Sequence, residues 1–231
     1  MPKHNLIIHI NADIGEIPAH IEDGTQQAIL PFLTHVNIAC GAHAGNDATM
    51  RASIAQAEEY NLQIGAHPGY PDPANFGRLE LNLSFETVTQ TVYDQIRTLS
   101  QFTSEIRHVK PHGALYNQAV NNEALAQAIA KGAARFSKQL TLLGLANSKM
   151  LDVFANEGFH TEAEAFADRR YNPDGTLVSR KLPNALIEDP AEAAQQALIL
   201  AHSGKVQTIC VHGDTPGAAA IARAVAQALI T

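Results

Sequence analysis

The stretch LIIHINADIGE (6–16) decides the fold, because a short isoleucine-rich run passes without a break into a polar group, N-A-D-I-G-E. Apolar runs of this length and composition read as buried strands, and 6–10 is the first of them. The same grammar recurs along the chain. VNIAC (36–40) runs into G-A-H-A-G, LQIGAH (62–67) ends at His67, and RHVK (107–110) runs into P-H-G-A-L-Y. LTLLGL (140–145), FHTEAEA (159–165) and QTICV (207–211) complete the series. Segments of helical period lie between them: 25–35, which Pro31 should kink or end, the amphipathic 46–61, and a helix capped from Ser84. Others are expected near 121–136, 147–157, 190–202 and 216–230.

About seven strand–helix pairs in one unbroken series predict an α/β chain with parallel strands covered by helices. No linker or low-complexity segment divides it, so 1–231 reads as a single domain. The pattern admits an open doubly wound sheet or a closed barrel, and we favour a seven-stranded β/α barrel-like domain.

Composition narrows the function. The chain has 231 residues, 45% of them hydrophobic and 17% charged, a globular balance. Its net charge of −7 and the lack of a Lys/Arg stripe argue against nucleic acid. No apolar run is long enough to span a bilayer, and the opening residues lack a signal-peptide pattern. The expectation is a cytoplasmic protein, and a homo-oligomer is compatible with it. Cys40 and Cys210 lack CxxC spacing and read as small buried residues.

The residues suited to chemistry gather at the carboxyl ends of the strands. Asn11, Asp13 and Glu16 come after the first, His43 after the second, His67 ends the third, and Lys110, His112 and Tyr116 come after the fourth. Glu164 lies on the sixth ahead of A-D-R-R-Y, and His212 and Asp214 come after the seventh. Parallel α/β folds bring the carboxyl ends of their strands to one face, where ligands bind. Residues two apart on a strand share a face, which aligns His9, Asn11 and Asp13, and likewise His108, Lys110 and His112. Each residue also has a plain structural reading: a hydrogen-bonded histidine, a turn aspartate, a solvated Arg169–Arg170 pair. Recurrence at one topological position favours function. His35 and His160 have no such context and read as surface or packing residues. Phosphate-loop, dinucleotide, GxSxG and HExxH motifs are all absent.

The stretches NADIGE (11–16), NIACGAHAG (37–45), IGAHPGYPD (64–72), FGR (76–78), VKPHGALYN (109–117), FADRRYNPDGTLVSR (166–180) and TICVHGDTP (208–216) resemble the LamB/YcsF family in order along nearly the whole chain. The resemblance implies a barrel-like fold related to glycoside hydrolases and polysaccharide deacetylases. It also implies ATP-dependent conversion of 5-oxo-L-proline to L-glutamate alongside B and C subunits. Asn11, Asp13, Glu16, His43, His67, Lys110, His112, Glu164, Asp168, Arg169, His212 and Asp214 are the positions it carries over. The chain departs from the family's pattern in the shorter loop IPAHIEDG, in His9 and in Asn46.

For such a reaction, Asp13, Glu16, Lys110, His112 and His212 are the expected catalytic residues. Asp13 or a neutral histidine would take a proton from water, His112 would return one to the ring nitrogen, and Lys110 would stabilise charge on oxygen. Asn11, Arg78, Tyr116, Glu164, Arg169 and Asp214 are expected to bind substrate, with Arg78 or Arg169 gripping its carboxylate. ATP would act through the partner subunits, since no phosphate loop is present. A divalent metal on Asp13, His43 and His67 is a second way to activate water. Two other readings stay open: a stand-alone metal-dependent amidase or deacetylase, and a non-catalytic lactam-binding subunit.

Overall fold

Strand β1 spans His9–Ile14, so N-A-D-I lies inside the strand and not beyond it. Asn and Asp are normally depleted in strands, and here hydrogen bonds in the barrel interior accommodate them. The computed structural model describes residues 8–229. Leu6 and Ile7 of the expected first strand, and Ile230 of the expected last helix, lie outside the described residues. The remaining strands are β2 (His35–Ala39), β3 (Gln63–His67), β4 (Ile106–Val109), β5 (Thr141–Leu145), β6 (His160–Phe166) and β7 (Thr208–Cys210). All pairs are parallel and β7 closes onto β1, giving a seven-stranded barrel. Closure removes both sheet edges and resolves the choice between barrel and open sheet.

Helices α1 (Pro18–Glu22), α2 (Asp47–Glu59), α3 (Phe85–Leu99), α4 (Gly113–Ala119), α5 (Glu123–Phe136), α6 (Lys149–Asn156), α7 (Pro190–His202) and α8 (Ala218–Leu229) accompany the strands. Asn46 caps α2 by accepting from the N–H groups of Ala48 and Thr49, while Thr49 Oγ1 answers the Asn46 N–H. This is a capping box, and it gives Asn46 a structural task. The segment 25–35 is not an α-helix: turns lead into a single 3-10 turn, Leu30–Phe32, with Pro31 near its start. Short helices α1 and α4 are not evident from periodicity. No helix among the described residues is long and apolar enough to cross a membrane.

The shell between strands and helices is apolar, with Val36, Ile38, Val109, Leu142 and Ile209 fully buried beneath the helices. The barrel interior is different. Asn11, Asn37, His108, Lys110, Glu164 and Thr208 are buried there, where branched apolar side chains are the rule. Space for His108 comes from Gly65, where a Cβ would stand 2.1 Å from His108 Nε2.

Candidate active site

The interior side chains form one hydrogen-bonded stack. His108 Nε2 donates to Asn37 Oδ1 at 2.8 Å, and Asn37 Nδ2 donates to Asn11 Oδ1 and Asp13 Oδ1, both at 2.8 Å. Asn11 Nδ2 in turn donates to Glu164 Oε1 (3.0 Å) and Thr208 Oγ1 (2.8 Å). The alignment of Asn11 with Asp13, and of His108 with Lys110, thus follows from strand phase as expected.

Lys110 sits at the centre of this stack, only 2% exposed. Its ammonium lies 2.9 Å from Glu164 Oε1, 3.0 Å from Asp13 Oδ1, 3.2 Å from Asn11 Oδ1 and 3.1 Å from Cys210 Sγ. Burial alone would push Lys110 down, but the Asp13 and Glu164 carboxylates outweigh it and hold the group charged, well above its ordinary value. Burial likewise pushes Asp13 up, and His67 and Lys110 overturn it, keeping this carboxyl well below its usual range. A carboxylate so stabilised is a weak base, so Asp13 is better suited to orienting its neighbours than to taking a proton. Burial keeps the Cys210 and Cys40 thiols protonated, Cys40 being pushed up to about 12.

Above Lys110 the histidines converge. His67 Nδ1 faces Lys110 O at 2.7 Å and His112 Nε2 faces Phe76 O at 2.8 Å. Carbonyl oxygens only accept, so each of these nitrogens carries a proton. The opposite nitrogens, His67 Nε2 and His112 Nδ1, therefore present lone pairs when neutral, and they stand 2.9 Å apart. Asp13 Oδ2 lies 3.2 Å from His67 Nε2, and Glu16 Oε1 lies 3.2 Å from His112 Nδ1 and 3.1 Å from His43 Nε2. So many acceptors around one point require a positive centre, either a proton on His67 or a metal cation. The Asp13 carboxylate favours the proton, raising His67 above its ordinary value against the downward push of burial. Burial lowers His43 to about 4 and leaves its Nδ1 without a partner.

As a metal site this cluster fits. One donor atom each from Glu16, His43, His67 and His112 lies within 4.8 Å of the others. Carbonyls on the far nitrogens of His67 and His112 fix the tautomers, as they do for metal-ligating imidazoles. The set differs from the expected Asp13, His43 and His67. Glu16 and His112 belong to it, while Asp13 groups with Cys210 and His212. His112 has both nitrogens engaged, so no free one is left to serve a substrate. Gly77, with φ +63°, lets the loop pass close by, since a Cβ there would stand 2.6 Å from His43 Cβ.

A cavity of about 590 Å³ opens over these groups, lined by Asp13, Glu16, Lys110, His112, Tyr116, Arg169 and His212 among others. That volume is ordinary for a small-molecule site. On one wall Asp168 accepts from His212 Nδ1 (2.8 Å), from the His212 backbone N–H (2.9 Å) and from Thr215 Oγ1 (2.8 Å). Burial pushes Asp168 up, but His212 and these hydrogen bonds bring it below its usual value. The His212 ring also stacks on Phe166. Its Nδ1 is spoken for, which leaves Nε2 as the nitrogen available to the cavity.

The rim is cationic. Arg78 and Arg180 both reach Asp214, at 2.6 Å and 3.0 Å, so Asp214 anchors arginines and is not itself free for substrate. Arg169 donates to Val178 O at 2.7 Å and its Nε is buried without a partner. Burial lowers Arg169 to about 10, still charged at neutral pH, and among the described residues it has no ion pair. Tyr116 Oη and Glu164 Oε2 are also buried without hydrogen-bond partners. Sequence reasoning carries Asp168 over by resemblance without giving it a role, and it singles out neither Asn37 nor Arg180. Asp168 is within its reach, because this residue comes after β6 as the other polar groups come after their strands.

The LamB/YcsF family model matches residues 8–231. A protein from Chloroflexus aggregans, named as the A subunit of 5-oxoprolinase, is 43% identical over 240 residues, covering 97% of this chain and 95% of its own length. The protein of the same name from Pyrococcus horikoshii is 41% identical, covering 93% and 90%. Among solved structures, a lactam utilization protein from Thermus thermophilus superposes with a TM-score of 0.86 at 35% identity, covering 96% of each chain. A truncated 3-deoxy-D-arabino-heptulosonate 7-phosphate synthase from Thermotoga maritima, at 11% identity and TM-score 0.53, shares the fold alone.

Proposed function

This chain belongs to the LamB/YcsF family, and from that premise we propose that it is the A component of a cytoplasmic ATP-dependent 5-oxoprolinase. The assembly would hydrolyse the lactam amide of 5-oxo-L-proline to L-glutamate with B and C subunits. The observation that carries the chemical reading is the His212–Asp168 pair set beside the buried Lys110 ammonium in one cavity. A ring nitrogen of His212 lies within 4.8 Å of an Asp13 oxygen and of Cys210 Sγ, both of which contact Lys110.

In this reading His212 Nε2 takes a proton from water as its oxygen bonds to the lactam carbonyl carbon. Asp168 holds the ring in the tautomer this needs and stabilises the imidazolium that forms, the division of labour seen in Ser–His–Asp sites. Lys110 faces the charge growing on the carbonyl oxygen. The carbon–nitrogen bond then breaks, and His212 returns its proton to the ring nitrogen, which becomes the amine of glutamate. Arg169, the rim cation without an acidic partner, takes the substrate carboxylate. A γ-lactam is a stable amide, and glutamate recloses readily. ATP coupling answers both problems if the partner subunits phosphorylate the lactam oxygen before water attacks; carbon–nitrogen cleavage then gives γ-glutamyl phosphate, and a second water releases glutamate and inorganic phosphate.

Glu16, His43, His67 and His112 would hold a divalent metal in the same cavity. When bound, it would supply Lewis-acid polarisation of water or carbonyl. This cluster favours a second reading, a metal-dependent amidase working alone. One assay separates the two: glutamate formation from 5-oxoproline by the chain with and without ATP and the B and C subunits. ATP-dependent and partner-dependent turnover, lost roughly 100–10,000-fold in His212→Ala, is the expected result. Turnover without ATP that a chelator abolishes would replace this reading with the second. Full turnover in His212→Ala and Lys110→Ala would leave the chain a binding component.

A further inference from the structure

A second group of histidines and a carboxylate closes the amino end of the barrel, and none of its members lines the cavity. His9 opens β1, His35 opens β2 and Glu162 lies early on β6; one donor atom from each is within 4.8 Å of the other two. The imidazoles of His9 and His35 are only 4.3 Å apart between ring centres.

Hydrogen bonds fix the lone pairs. Thr34 Oγ1 gives its single proton to Ile10 O (3.0 Å) and accepts the Ile10 N–H (2.8 Å), so its 2.8 Å contact with His35 Nδ1 is donated by the ring. Nε2 is then the lone-pair nitrogen of His35. His9 Nδ1 and Glu162 Oε1 stand 3.1 Å apart, close to the spacing of adjacent ligands on a tetrahedral ion with bonds of about 2.0–2.2 Å. Glu162 Oε2 is buried and has no hydrogen-bond partner. A buried carboxylate oxygen left unanswered is costly, and its presence calls for a water or an ion.

We infer that His9, His35 and Glu162 form a second metal site, for a divalent transition ion of the zinc type, at the floor of the barrel. Two imidazoles and one carboxylate suit zinc, whereas magnesium and calcium prefer oxygen ligands throughout. Water completes the coordination. The His9 side chain, 30% exposed, provides the route in. The three ligands lie outside the lining of the cavity at the other end, so the ion would tie β1, β2 and β6 together and stabilise the folded barrel by binding to it alone.

The test uses the full chain, stripped of metal and titrated with Zn²⁺ by calorimetry, with bound metal counted by mass spectrometry. In a chain carrying His43→Ala and His112→Ala, which disables the cluster at the other end, one zinc should still bind and raise the Tm. Adding Glu162→Gln should weaken that zinc by more than the roughly 10–100-fold that losing a ligand's hydrogen-bond partner costs. His9→Gln, at the exposed edge, should do the same, with circular dichroism reporting the metal-free fold. In the otherwise unchanged chain Glu162→Gln should remove one equivalent, whatever the other cluster holds. Zinc stoichiometry and affinity unaltered by both Glu162→Gln and His9→Gln, or no zinc on a folded His43→Ala/His112→Ala chain, would overturn the assignment.

Discussion

The carboxyl end and the floor of the barrel are furnished with the same side chains, histidines and carboxylates on neighbouring strands, but their surroundings differ. At the carboxyl end the cluster adjoins a buried ammonium, Lys110, an Asp168–His212 pair and a cavity of about 590 Å³. At the floor, His9, His35 and Glu162 meet one another and line no part of that cavity. The difference teaches that residue type does not make a reaction centre. A cavity for substrate, a fixed charge to meet the developing one and a histidine with one nitrogen free are all needed. Only the carboxyl end has the three.

The largest effect expected from breaking this contrast is at Lys110. Lys110→Met leaves Asp13 and Glu164 buried without their shared cation. Removing one partner of a buried charge cluster costs about 3–5 kcal/mol, readable as a lower denaturation midpoint. Turnover in the reconstituted assay should disappear with it. Glu162→Gln at the floor should leave turnover unchanged, because neither Glu162 nor its partner His9 lines the cavity. Equal losses at the two ends would erase the distinction.

A smaller effect is expected where the two ends are joined. His108 hydrogen-bonds Asn37, which reaches Asp13 and Asn11, and its ring stands 5.4 Å from that of His35. Gly65→Ala would drive a methyl into the His108 ring, whose atoms leave no flexible end to swing aside. Overpacking of this kind costs about 1–3 kcal/mol, measured by denaturant unfolding. Turnover should also fall, since Asn37 would lose the donor that fixes its amide orientation. Unchanged unfolding would show that the interior stack yields at no cost.

Much of this arrangement is legible in the sequence, and the rest is hidden for physical causes. Strand-by-strand polarity at the carboxyl ends is visible because parallel topology turns a sequence position into a spatial one. Asp13, His43, His67, Lys110, His112 and His212 are legible in that way. Partnership within the cluster is not. Asp13 lies inside β1 and turns inward to Lys110, whereas Glu16 lies beyond the strand and reaches His43 and His112. An apolar run that stops at Ile10 conceals that step. His35 reads as a packing residue because its partners come from β1 and β6, and barrel closure alone brings these together. The 3-10 turn at Leu30–Phe32 replaces an expected helix because Pro31 offers no N–H to continue one.

The smallest effect belongs to the rim of the carboxyl end, where charge meets solvent. Burial pushes the Asp214 carboxyl up, but Arg180, His212 and Arg78 together hold it below its ordinary value. A carboxyl depressed in the folded state adds stability that is fully present above the unfolded value, about 3.9, and is lost as pH falls through the folded one. Asp214→Asn should therefore destabilise the chain at pH 7 and lose its effect in acid. The Arg78 side chain is 39% exposed, so screening keeps its pair within the range of exposed ion pairs, about 0–1 kcal/mol. Lys110→Met also frees Asp13 from the ammonium that helps to hold its carboxyl low, so burial pushes that carboxyl back up and the penalty should begin to fall at a higher pH than that of Asp214→Asn. Unfolding curves of the two variants between pH 7 and about pH 2 would thus separate a solvated rim from a buried centre. Parallel curves would mean that the rim arginines are held as firmly as Lys110 and that the cavity mouth is as rigid as its floor.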